Sequence, residues 1–320
     1  MALVDVLQST PWLLTACIFV LSLLVGSFLN VVIHRLPIML DRQWREHAQE
    51  FIAAAPEPAV TEATDAGLAV PESTETEPTA AAERYDLLVP RSRCPSCNAE
   101  IKAHQNIPVV SWLLLGGKCA SCEARISPRY PIVELGTAIL SAAVAWRFGW
   151  HWQTVAALVF TWSLVALTVI DLDHQILPDI LTLPLLWLGL LLSLGWRVAL
   201  SPPMPVDPHS AITGAAAGYL SLWLVYWAFR LATGKEGMGY GDFKLFGAFG
   251  AWMGWQMLPL IILLAAFAGA AIGIALIVVR GRDRNTPIPF GPYLAAAGWI
   301  ALMWGPQIVG NYLEMSGLNR

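Results

Sequence analysis

PWLLTACIFVLSLLVGSFLNVVI, residues 11–33, carries no charged side chain, and its reading decides the fold class. A helix needs about 20 consecutive apolar residues to cross the hydrocarbon of a bilayer, so this run is long enough to span. Asp5 stands where a cleavable signal would carry its basic segment. The run is therefore expected to be an uncleaved first membrane helix, within residues 1–33.

Working outward, apolar stretches recur at 132–149, 153–171, 180–199, 210–231, 243–255, 257–280 and 289–310. The chain is 56% hydrophobic and 13% charged, against about 25% charged in an ordinary soluble domain. The expectation is an all-α polytopic membrane protein with about eight transmembrane helices. Residues 243–255 have the length at which a short buried or re-entrant helix competes with a full span. Glycines four apart, Gly214/Gly218, Gly250/Gly254 and Gly269/Gly273, would let helices approach closely. The bilayer is an expected partner, and nucleic acid is not.

Lys and Arg set the orientation. Of 19 in the chain, most lie in 34–130, 230–244 and 280–284, while the alternate loops hold Arg147 and Arg197. The positive-inside rule then puts 34–131, the 171–180 turn, 230–244 and 280–288 in the cytoplasm. Within 34–131, residues 53–83 are rich in Ala, Pro, Thr and Glu and lack Lys and Arg. Such a segment buries too little apolar surface to offset its ordering entropy, so a disordered acidic insert is expected there. Residues 132–320 would form the membrane domain.

Cys94-Pro-Ser-Cys97 and Cys119-Ala-Ser-Cys122 are two Cys-x-x-Cys knuckles separated by residues 98–118. Four thiolates at this spacing suit a closed tetrahedral zinc site, structural because no coordination position stays open. In a reducing cytoplasm disulfides are disfavoured. The site would staple a small module between Pro90 and Pro131. Cys17, alone in the first apolar run, reads as packing.

Two acidic motifs sit where apolar stretches meet loops: Asp171-Leu-Asp-His-Gln-Ile-Leu-Pro-Asp179 and Gly239-Tyr-Gly-Asp242. A carboxylate at the edge of hydrocarbon is costly and is usually retained for function. Both motifs fall on the cytoplasmic side, so Asp171 and Asp242 are expected to share one site as an acid–base pair. Asp173, two residues from Asp171, would point to another helix face. Asp179 is expected to be the N-cap of the helix after Pro178. The glycines before Asp242 would let its backbone approach another helix.

These motifs, with Gly26-Ser-Phe-Leu-Asn30, His34-Arg-Leu-Pro37, Ser127-Pro-Arg-Tyr-Pro-Ile-Val-Glu134 and Pro289-Phe-Gly-Pro292, cover almost the whole chain. Together they resemble the type IV prepilin peptidases, bifunctional leader peptidase/N-methyltransferases of the Gly-x-Gly-Asp class of membrane aspartic proteases. The resemblance implies Asp171 and Asp242 as the catalytic pair and prepilins and pseudopilins of type IV pili and type II secretion as substrates. It also implies a multi-pass protein of the bacterial inner membrane, cutting at the cytoplasmic face. S-adenosylmethionine would methylate the new N-terminus. Gly237-Met-Gly-Tyr-Gly-Asp242 follows a membrane segment rather than a strand, so no dinucleotide fold is expected. The methyl-donor site is instead expected near Gly26, Asn30, Arg35 and Glu134, although Asn30 and Glu134 would also serve as interhelical polar contacts.

The competing readings are weaker. No His-Glu-x-x-His motif occurs, against a zinc protease, and Ser27 with His34 is a poor serine-protease pair. A scaffold for a pilus or secretion system without catalysis would use the aspartates as helix caps and would tolerate alanine at both.

Overall fold

The computed structural model describes residues 3–54, 85–195, 206–280 and 288–317. Its helices are α1 (Leu3–Ser9), α2 (Pro11–Ala54), α3 (Val110–Leu114), α4 (Arg129–Phe148), α5 (Trp152–His174), α6 (Asp179–Leu194), α7 (Pro208–Thr233), α8 (Tyr240–Met253), α9 (Leu258–Arg280) and α10 (Gly291–Met315). Among the described residues the only β pairings are isolated bridges, Arg93 with Glu100 and Lys118 with Arg125. The expected all-α class is observed.

Five described helices are long and apolar enough to cross a membrane: α2, α4, α5, α7 and the segment Trp255–Val279. The expected count of about eight spans is not confirmed among the described residues. α8, at 14 residues, rises only about 21 Å at 1.5 Å per residue, short of the roughly 30 Å hydrocarbon core. Asp242, Phe243, Leu245 and every residue from Phe246 to Met253 are buried. It is a short buried helix, apolar on all sides because α6, α7, α9 and α10 surround it.

Glycines make this enclosure possible. A Cβ on Gly218 would lie 2.6 Å from the Phe246 carbonyl oxygen, and one on Gly214 would lie 2.5 Å from that of Gly250. With no side chains between them, α7 and α8 pack backbone to backbone, where dispersion and shape hold helices that lipid does not squeeze together. Gly269 and Gly273 have only ordinary neighbours, at 3.4 Å or more, so the third pair is not a close crossing. Around α8, the Phe160 ring packs at a tilt against Phe249 and Trp252, at centroid distances of 5.7 and 4.8 Å. The Trp252 Nε1–H donates to the Leu185 carbonyl at 2.8 Å.

α2 differs from its expected length. It does not stop at Ile33 but continues through Pro37 to Ala54, 44 residues in all. Of the expected acidic insert 53–83, Ala53 and Ala54 thus belong to α2, and residues 55–83 lie outside the described residues, as do 281–287 of the expected cytoplasmic loop at 280–288. The chain returns to α2 at Tyr85, whose ring lies 4.3 Å from the Arg42 guanidinium. α2, α4 and α5 bury a second cluster through Leu29, Val32, Ile33, Leu36, Val133, Ala166 and Ile170.

Candidate active site and metal centre

α5 ends just beyond Asp171. Gln175 adopts a left-handed conformation, φ 55°, and its N–H closes the helix on the Asp171 carbonyl. The chain then runs through Leu177 and Pro178, which precedes α6. This leaves Asp171 in the last turn of α5, facing inward and only 5% exposed. The Gly291 N–H, at the start of α10, donates to its carboxylate. A Cβ on Gly291 would lie 2.5 Å from Asp171 Oδ2 and 3.2 Å from Leu177 Cδ2, so glycine is what lets a main-chain donor reach the acid.

Asp242 arrives from the other direction. Gly239 is the N-cap of α8, which places Asp242 at the third helical position. Its carboxylate accepts from the Gly239 N–H, the return half of a capping box. Oδ1 is buried and has no hydrogen-bond partner, and Asp242 is 6% exposed. Leu177 packs against both Gly241, next to Asp242, and Gly291, next to the Asp171 carboxylate, which brings the two acids to one place. Two like-charged groups in a site with little water cannot both ionise without cost, so the arrangement suits one proton shared between two acids.

The other aspartates of the first motif are placed otherwise. Asp173 points away from Asp171, as its spacing implies, and pairs with Arg129 at the start of α4. Asp179 is not the N-cap. Pro178 holds that position without a side-chain cap bond, and Asp179, the first residue of α6, pairs with Lys244 of α8.

The cysteine module is built as two copies of one turn. Cys94 N–H donates to Ala99 O and Asn98 N–H to Cys94 O; Cys119 N–H donates to Ala124 O and Glu123 N–H to Cys119 O. Asn98 and Glu123 take the same left-handed conformation, φ 59° and 56°. Each knuckle is closed by one of the isolated bridges. The ligand atoms of Cys94, Cys97, Cys119 and Cys122 all lie within 4.8 Å of one another, and the sulfurs are free thiols. The donor set and its crowding fit a tetrahedral metal such as zinc. The N–H groups of Cys97 and Ser96 draw the Cys94 thiol down to about 6. Cys122 receives a similar pull from the Ala124 N–H, but the sulfurs of Cys97, Cys119 and Cys94 outweigh it and push Cys122 up to about 12.

Gly26, Asn30 and Glu134 line the junction of α2 with α4, and Arg35, further along α2, faces the returning segment at Asp86 and Pro90. A Cβ on Gly26 would lie 2.7 Å from Glu134 Cα, Asn30 donates to Tyr130 O at 3.1 Å, and Arg35 donates to Asp86 O and Pro90 O at 2.8 and 2.5 Å. Glu134 is buried and accepts from the Val109 N–H at 2.7 Å and from Ser27. Val109 has φ 59°, a costly conformation for a β-branched residue. Sequence reading missed Val109 and gave Gly291 no role beyond its motif, because both contribute through backbone N–H groups that no residue type announces.

Two family matches cover most of the chain. Residues 20–148 match the bacterial peptidase A24 N-terminal domain, and residues 158–274 match the type IV leader peptidase family. Proteins called prepilin leader peptidase/N-methyltransferase cover nearly all of both chains. That of Pseudomonas aeruginosa is 51% identical over 99% of this chain and 99% of its own. That of Aeromonas salmonicida is 53% identical over 98% of each. This chain belongs to the type IV leader peptidase family. The second match contains both carboxylates, and the first contains the cysteine module with the α2–α4 junction. For this type IV leader peptidase, no solved structure matches.

Proposed function

We propose that this protein is an aspartic endopeptidase that removes the leader from prepilins and related pseudopilins and N-methylates the amine so exposed. The observation that carries the peptidase half is the meeting of two buried carboxylates, Asp171 ending α5 and Asp242 beginning α8, one of them with an unpartnered oxygen. The relatives' name supplies both reactions and the substrate class.

In the mechanism, the ionised member of the pair takes a proton from water as the water oxygen bonds to the scissile carbonyl carbon. The protonated member donates to the carbonyl oxygen. Collapse of the tetrahedral species breaks the C–N bond, and the leaving nitrogen takes up a proton through the pair. Gly291 N–H fixes Asp171, the Gly239 N–H fixes one side of Asp242, and Asp242 Oδ1 is the atom left for water. Which acid starts ionised belongs to the coupled pair rather than to either residue.

Lys and Arg placement supports a bacterial inner-membrane protein whose site opens at the cytoplasmic face. Cys94, Cys97, Cys119 and Cys122 would hold one zinc as a structural staple. For methylation, S-adenosylmethionine supplies an electrophilic methyl group. We place this half at the α2–α4 junction. The polar groups of Asn30, Arg35 and Glu134 are spent on the chain itself, so with Gly26 they would shape that junction and the returning segment rather than grip the donor. The deciding experiment follows cleavage and methylation of a purified prepilin by wild type, Asp171→Asn and Asp242→Asn. Loss of cleavage with intact protein levels supports the pair, whereas near-native cleavage by either variant removes that residue.

A further inference from the structure

The two segments that carry the carboxylates are joined by an ion pair lying outside the reacting groups. Lys244 Nζ sits 2.6 Å from Asp179 Oδ1 and 2.7 Å from Oδ2, a forked contact using both carboxylate oxygens. Lys244 is two residues past Asp242 at the start of α8, and Asp179 opens α6 directly after the loop that leaves Asp171. Between them the packing is tight. A Cβ on Gly241 would lie 2.6 Å from Leu177 Cβ, while Leu177 also closes on Gly291. Leu177 is thus wedged between the segments that flank the pair.

Strength does not account for this contact. The side chains are 27% and 55% exposed, and pairs that open to solvent add little to folding. Nor does Asp179 cap its own helix. What the pair does control is position. Asp171 and Asp242 lie on different helices, so their mutual placement depends on how the start of α8 is held against the α5–α6 loop. The ion pair ties the start of α6 to α8 two residues from Asp242. Misplacement of a reacting group by about 1 Å can cost 100-fold in rate.

We propose that Asp179 and Lys244 are positioning residues: a latch that holds Asp242 in register with Asp171. The inference rests on the reading of those two aspartates as the reacting pair.

The test uses full-length protein in detergent and a purified prepilin, with kcat, KM and melting temperature measured for Asp179→Asn, Lys244→Met, Lys244→Arg and the exchange Asp179→Lys/Lys244→Asp. Each neutralising single should lower kcat about tenfold or more, with KM within about twofold and melting unchanged. Lys244→Arg, which keeps the charge and can fork onto a carboxylate, should retain most activity, and the exchange should recover a large part of what the singles lose. An exchange no better than the singles, a loss confined to KM, or a loss that follows melting temperature would overturn the latch. Asp171→Asn and Asp242→Asn in the same assay separate the two ideas. If they abolish cleavage while the Asp179 and Lys244 singles cleave normally, only the latch fails; if they cleave normally, the reacting pair fails and the latch with it.

Discussion

Asp242 divides its work between its two oxygens. One satisfies a helix-start N–H, an ordinary structural duty, and the other is left buried without a partner. Asparagine at Asp171 or Asp242 preserves size and much hydrogen bonding but cannot pass the proton, so cleavage should fall by at least about 100-fold, the lower range for lost acid–base catalysis. A discontinuous cleavage assay on membranes with matched protein levels reads this directly. Gly291→Ala tests the least visible member of the site. Its methyl would meet Asp171 Oδ2 at 2.5 Å, so cleavage should drop sharply while methylation of a pre-cleaved pilin survives. Equal losses of both activities would point to misfolding instead. The aspartates were legible in the sequence because charge beside an apolar run is conspicuous. Gly291 was visible only as part of a motif, since a donated main-chain N–H leaves no mark on residue identity. Asp179 was misread as a cap because its partner, Lys244, lies far along the chain.

At the scale of elements, α8 was the ambiguous segment, and its composition could not separate a short span from a buried helix. What separates them is enclosure by neighbours, a property of packing. The glycines of α7 and α8 did announce their contact. Gly250→Leu should therefore expel α8 from α7 and reduce folded protein in detergent. Gly269→Leu, facing only Tyr293 at 3.4 Å, should be far milder; fluorescence-detected size exclusion compares the two. The cysteine module was legible in ligand number and spacing, whereas the repeated left-handed turn at Asn98 and Glu123 was not, because neither residue is glycine. Purified protein should carry about one zinc, and Cys97→Ser or Cys119→Ser should release it. Binding must remove the proton from thiols such as Cys122, held up to about 12 without metal, so protons compete with the ion. Zinc affinity should consequently rise with pH, measured by chelator competition between about pH 6 and 8. An affinity flat across that range would argue against thiolate ligation.

For the whole molecule, the sequence located the membrane class, the cysteine module and the acidic motifs, while five of the described helices are long and apolar enough to cross a membrane. The apolar run that marks the first span ends at Ile33, yet the helix itself continues to Ala54. Pro37 does remove one backbone donor, yet Leu36, in the second cluster, and Pro37 are both buried where the helix passes that point. From Ile33 to Ala54 the helix advances about 30 Å, and residues 41–54 are exposed throughout.

A continuous helix beyond the membrane converts chain length into rotation. Each residue inserted into it turns everything downstream by about 100° and raises it by about 1.5 Å. Arg35 and Arg42 hold the returning segment at Asp86, Pro90 and Tyr85, so both must keep one azimuth. One alanine inserted between Met39 and Asp41 should swing Arg42 off the Tyr85 ring and unseat the cysteine module, whereas the same insertion after Arg45 leaves both anchors in phase. Limited proteolysis near residues 85–101, compared between the two insertions, would show whether the angular setting of α2 governs how that module is seated.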